Sequence, residues 1–99
     1  MPKNLNVIVY VRGNEAQKQK EGILAKLDHK VVRIMIDSDS REMSAGNLNQ
    51  IIEAKKAGQI DALAIAKPEA FTLDEERQKY FYQKLEEAGV EVLHVVSRK

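Results

Sequence analysis

Four short apolar runs, separated by stretches with helical signals, set the narrowest limit on how this chain folds. Val7-Ile8-Val9-Tyr10-Val11 is continuous rather than alternating. That is the pattern of a strand covered on both faces, as in a parallel sheet. Val31 to Ile36 is a second strand, rich in β-branched residues. Ile60 to Ala66 reads as a third, buried strand and Val90 to Val96 as a fourth. Strands alternating with helices at this spacing predict right-handed β-α-β crossovers and a parallel sheet. The chain is 99 residues long, enough for one hydrophobic core and not two. The expected fold class is therefore α/β: a single three-layer domain over residues 1–99, with a mainly parallel four-stranded sheet and about three helices.

The helices announce themselves by caps and stops. Asn14 followed by Gln17 is spaced as a capping box for the first helix, whose apolar stripe is Ala16, Ile23, Leu24 and Leu27. Ser44 caps the second, which carries Leu48, Ile51 and Ile52 on one face. Lys55 and Lys56 in its last turn suit the helix dipole, and Gly58 ends it. Thr72-Leu73-Asp74-Glu75 reads as a capping box for the third helix, with Leu73, Phe81, Leu85 and Ala88 as its inner stripe and Tyr80 close beside. Gly89 is the stop. Tyr80 and Tyr82 are expected at the rim of this helix, bridging core and solvent.

Composition narrows the function classes. With no cysteine, disulfides, thiolate metal sites and cysteine nucleophiles are excluded. No run approaches the roughly 20 apolar residues that span a bilayer. Met1-Pro2-Lys3-Asn4 leads straight into a strand with no signal-peptide pattern, so a cytoplasmic location is expected. The formal net charge is +1 with acids and bases mixed, whereas nucleic-acid binding usually needs a concentrated basic face.

In an open parallel sheet, ligands bind outside the carboxyl ends of the strands. That rule selects Arg12 to Gln17, Asp37 to Ser44, Lys67 to Thr72 and the C-terminus. Gly13 alone makes no phosphate loop, and neither dinucleotide nor Walker spacing is present. Arg12 stands where a receiver domain would need paired acids. His29 follows the first helix and His94 lies in the last strand, without metal-ligand spacing. No cofactor and no metal are expected.

Several of these segments resemble, in register, the N-terminal catalytic domain of serine recombinases (resolvases and invertases). Tyr10-Val11-Arg12-Gly13-Asn14-Glu15-Ala16-Gln17 is similar to that family's Tyr-x-Arg-Val-Ser-Thr followed by glutamine. Asp37 matches the aspartate that ends strand two, and the loop after it lacks the family's Ser-Gly pair. Aligning Leu48 with the leucine that opens the next helix's inner face puts Ala45 where the family has arginine. Ala57-Gly58-Gln59-Ile60-Asp61-Ala62-Leu63 matches closely. Lys67-Pro68-Glu69-Ala70-Phe71-Thr72-Leu73-Asp74 is similar to Lys-Leu-Asp-Arg-Leu-Ser-Arg-Asp, with Ala70 and Leu73 at the arginine positions. Gly89-Val90-Glu91-Val92 also fits, so the resemblance covers about residues 5 to 97.

The resemblance implies a resolvase-like domain of flavodoxin-like topology, and a site that has lost its chemistry. The family's serine attacks a DNA phosphate to form a phosphoserine link. Asn14 holds that position and offers no such oxygen. The family's arginines stabilise charge on the transferring phosphoryl group, and losing one donor of this kind typically costs about 10²–10³ in rate. Here three arginine positions are Ala45, Ala70 and Leu73. What remains is a pocket of Arg12, Asn14, Asp37, Lys67 and Glu69 with no catalytic residue. Ser38, Ser40 and Ser44 stand on the same rim, but a displaced nucleophile there would still lack the arginine cage.

The expected function is that of a pseudoenzyme: a non-catalytic resolvase-like domain that binds protein, as a regulator or accessory in DNA recombination or a mobile element or phage. Its expected partner is itself or a recombinase, with weak or absent DNA contact and no membrane. No helix-turn-helix domain and no long dimerisation helix are read in the sequence. The alternatives are a small phosphate- or nucleotide-binding protein or enzyme using Arg12, Asn14, Asp37, Lys67 and Glu69, or an excised recombinase domain with weak DNA contact.

Overall fold

The computed structural model describes residues 4–38 and 41–95. The elements run β1 (Asn6–Arg12), α1 (Ala16–Lys26), β2 (Lys30–Asp37), α2 (Ala45–Lys56), β3 (Ala62–Ile65), a 3-10 turn (Pro68–Ala70), α3 (Glu75–Glu87) and β4 (Glu91–His94). The sheet order is β2-β1-β3-β4 and every pairing is parallel. This is the 2-1-3-4 order of flavodoxin-type sheets, with β1 and β3 inside.

Each face of β1 meets a different layer. Val7, Val9 and Val11 pack with Ala62 and Ala64 of β3 against Ala16 and Ile23 of α1. Ile8 and Tyr10 pack with Leu63 and Ile65 against Leu48 and Ile51 of α2 and Phe81 and Leu85 of α3. Burial on both faces is why β1 reads as an unbroken apolar run. Among the described residues no helix is long and apolar enough to cross a membrane.

The structure corrects the helix starts. Gly13 turns the chain at a φ of 94°, a left-handed conformation that suits glycine, and the Ala16 N–H donates to the Gly13 carbonyl. Asn14 therefore sits inside this turn, Glu15 takes the cap position, and no side chain caps α1. Leu24 is exposed, because Ile23 takes the inward position on that helix. α3 begins two residues later than the Thr72 box implies: Asp74 is its cap, accepting from the N–H groups of Glu76 and Arg77. Thr72 is buried in the preceding turn, where its hydroxyl accepts from the Asp74 N–H. Leu73, placed before the helix rather than on its inner stripe, is 76% exposed. β3 and β4 are also shorter than their apolar runs, and Val96 lies outside the described residues.

Ser44 caps α2 as its position implies, its Oγ accepting from the Asn47 N–H at 3.2 Å. Ser44→Ala is expected to lower stability by about 1 kcal/mol, as is typical of a lost N-cap. Urea unfolding checks this, and a change below a few tenths would remove the cap from the account.

Candidate functional site

The carboxyl ends of β1, β2 and β3 bring the sequence-predicted residues to one rim. Arg12 closes β1, half-buried, and its guanidinium does not stand open in the solvent. Its Nε donates to the Ala70 carbonyl at 2.8 Å and an Nη to the Glu69 carbonyl at 2.9 Å. The cation thus binds the backbone of the 3-10 turn that follows β3. Ala70 itself is buried in the core beside Phe71.

Asp37, at the end of β2, is buried and organises the rim. Its Oδ2 accepts from the Tyr10 hydroxyl at 2.9 Å, the Ser44 N–H at 3.0 Å and the Asn47 side-chain amide at 3.0 Å. One carboxylate oxygen thereby ties β1, β2 and the first turn of α2 together. Tyr10 is a core residue, as its place in the strand implies, and its hydroxyl has this second task. Ser44 is committed at both its Oγ and its N–H to local structure. Ser38 is exposed nearby, and Ser40 lies outside the described residues.

The remaining rim positions face solvent. Gly13, Asn14, Lys67 and Glu69 are all exposed. Of the positions that the resemblance assigns to arginine, Ala45 and Leu73 are exposed and Ala70 is buried. Among the described residues, the exposed side of this rim therefore carries the Asn14 amide, the Lys67 ammonium, the Glu69 carboxylate and the apolar Leu73. A cavity of about 440 Å³ lies instead at the amino ends of the strands, lined by Asn6, Lys30, Arg33 and Gln59 among others.

One strong contact was not legible in the sequence. The loop after β2 crosses to the loop after β3: Glu42 and Thr72 form an antiparallel bridge, and the Met43 N–H donates to the Phe71 carbonyl at 2.7 Å. Glu42 then receives Arg77 of α3 in a two-point pair, Nε to Oε1 at 3.3 Å and Nη2 to Oε2 at 2.9 Å. The hydrogen bond with Glu42 is the main cause that raises the Arg77 pKa above its ordinary value. The same guanidinium lies 4.4 Å from the centroid of the Tyr80 ring. Thirty-five residues separate Glu42 from Arg77, so no local pattern signals the pair.

The histidines lie at opposite ends of the sheet. His29, before β2, accepts the Leu5 N–H on Nδ1 at 3.1 Å and so ties down the entrance to β1. His94, at the end of β4, has Nε2 2.7 Å from the Tyr82 hydroxyl. Tyr82 sits at the edge of α3, its ring edge-on to Phe71. Burial pushes its phenol pKa up, and the charge of Glu69 adds to the rise.

Known proteins give the arrangement a context. No protein-family model matches the sequence, and no curated protein matches it. Solved structures do match in fold. The C-terminal catalytic domain of ISC1926 TnpA, an IS607-like serine recombinase, superposes with a TM-score of 0.70 at 17% identity, over 95% of this chain and 72% of that one. The N-terminal catalytic domain of TP901-1 integrase gives 0.75 at 10% identity, over 91% and 76% of the two chains. The first ORF in transposon ISC1904 from Sulfolobus solfataricus P2 gives 0.67 at 10% identity, over 94% and 69%. This chain has the fold of a serine recombinase catalytic domain.

Proposed function

We propose that this recombinase-type domain acts by binding protein in the setting of DNA recombination or a mobile element, and does not cleave DNA itself. The observation that carries the reading is the rim after β1. An exposed asparagine stands at the position that the resemblance gives to the nucleophile, and Arg12 is spent on the Glu69 and Ala70 carbonyls. Phosphoryl transfer needs an activated oxygen nucleophile and donors preorganised around the phosphoryl group. Asn14 supplies no such oxygen, and Ala45, Ala70 and Leu73 supply no cation. The near-neutral net charge supports protein over DNA as the partner. The partner in this reading is a second copy or a serine recombinase, and the location is cytoplasmic.

Two measurements test the reading. Incubation with duplex DNA followed by denaturing electrophoresis should leave the DNA free of covalently attached protein, for the wild type and for Asn14→Ser alike. An adduct formed by the wild type would overturn the non-catalytic half. Light scattering of the chain alone, and mixed with a purified serine recombinase catalytic domain, should detect a complex in at least one case. A particle that stays monomeric in both overturns the binding half.

A further inference from the structure

We infer that a second copy of this chain pairs with β2, antiparallel and centred on Met35, joining two sheets into one continuous sheet. The inference rests on the protein-binding reading above and names its surface and partner.

β2 is an edge strand of eight residues, and in the sheet order nothing among the described residues pairs with its outer side. The Asp37 carbonyl accepts from Gly13 on the β1 side. Backbone direction alternates along a strand, so Asp37 and Met35 point their N–H and C=O at β1, while Ile34 and Ile36 point theirs at the open edge. A row of outward backbone donors and acceptors is a template for another strand. Apolar side chains accompany it. Ile34 pairs with Val9 and Ile36 with Val11, so both stand on the α1 face, where they remain 39% and 54% exposed. Leu24 of α1, on the same face of the sheet, is 38% exposed.

The strand is protected over its amino half alone. The register slips between Val7 and Ile8, the mark of a bulge, and Lys30 and Arg33 bring charge to this half. Bulges and cations are the usual devices that blunt an edge. Ile34-Met35-Ile36 carries neither. The opposite edge, β4, is four residues long and exposes Glu91 and His94 rather than apolar side chains.

Self-complementarity selects the occupant. With a two-fold axis at Met35, Ile34 lies opposite the partner's Ile36 and Ile36 opposite the partner's Ile34. In each such pair the outward groups exchange both hydrogen bonds, and the isoleucines meet on the α1 face. On the other face, Met35 lies opposite the partner's Met35, and Arg33, which donates to Gln50 of its own chain, stands apart from the partner's Arg33. A parallel pairing would set like charges side by side. The two-fold arrangement is also the commonest closed symmetry for identical chains. One strand pair with its flanking residues is a small interface, so the dimer should be weak and concentration-dependent.

Sedimentation equilibrium from low to high micromolar protein tests this. The wild type should rise from the monomer mass toward twice that value. Ile34→Lys combined with Ile36→Lys should remain monomeric over the same range, with an unchanged circular dichroism spectrum because both positions are exposed. The chain has no cysteine, which allows a second test. Ile34→Cys mixed with Ile36→Cys should form a covalent dimer under mild oxidation, faster than either variant alone. A wild type that stays monomeric at high concentration overturns the dimer, as does one that dimerises equally well with both lysines present. A monomer that still binds a recombinase domain would overturn this pairing and leave the wider binding reading standing.

Discussion

Asp37→Ala is expected to remove about 3 kcal/mol of stability, near the upper end for a single change that creates no large apolar cavity. The carboxylate is 6% exposed, and one oxygen serves three donors from two elements and a loop residue. Truncation leaves the Tyr10 hydroxyl and the Ser44 N–H without that acceptor. Hydrogen bonds to a charged group are each worth roughly 1.5–3 kcal/mol, and a buried donor left unsatisfied costs about 1–3. The losses overlap, and water entering the vacated space recovers part of them, so the total falls below the sum. For a domain of this size the melting temperature should drop by roughly 12–24 °C. Tyr10→Phe removes a single donor and should cost about 1 kcal/mol. Thermal and urea unfolding of both variants check the ranking. If Asp37→Ala costs no more than Tyr10→Phe, the carboxylate does not organise the rim.

That carboxylate marks the boundary of what the sequence discloses. Its presence at the end of β2 follows from the apolar run before it and from the family resemblance. Its task does not, because its donors come from positions 10, 44 and 47 and meet only once the sheet is ordered. The strands were legible because burial on both faces leaves an uninterrupted apolar signature, as in β1 and β3. The helix stops at Gly58 and Gly89 were legible because both glycines adopt positive φ, 76° and 83°. The starts of α1 and α3 were not, since in each a tight turn intervenes between the apparent cap and the helix. The strand-end rule selects the loops that carry Arg12, Asn14, Asp37, Lys67 and Glu69, but it does not disclose what Arg12 binds. The carbonyl groups it binds belong to a loop 57 and 58 residues away.

Phe71→Ala is expected to cost about 3–5 kcal/mol, the range for emptying a buried phenylalanine site. Phe71 is fully buried immediately after the 3-10 turn. Its ring stacks on Phe81 of α3 at 5.6 Å and lies 6.4 Å from Tyr10 of β1, while Tyr82 meets it edge-on at 5.2 Å. One side chain therefore joins the central strand to α3, and its backbone carbonyl holds Met43 of the crossing loop. Rigid neighbours from β1 and α3 collapse poorly onto a void, which places the cost toward the upper part of that range. Phe71→Leu keeps much of the volume and should cost about half as much. Urea titration should lower the midpoint for both variants without changing the slope, because the native fold and its buried surface are retained. A Phe71→Ala loss below about 2 kcal/mol would mean that the rim relaxes around the missing ring. Because Ile34 and Ile36 stand on the α1 face, opposite the face that buries Phe71, the β2-mediated dimer should survive in the fraction that remains folded. Dimerisation lost in Phe71→Leu while its fold persists would place the self-association surface at the rim instead.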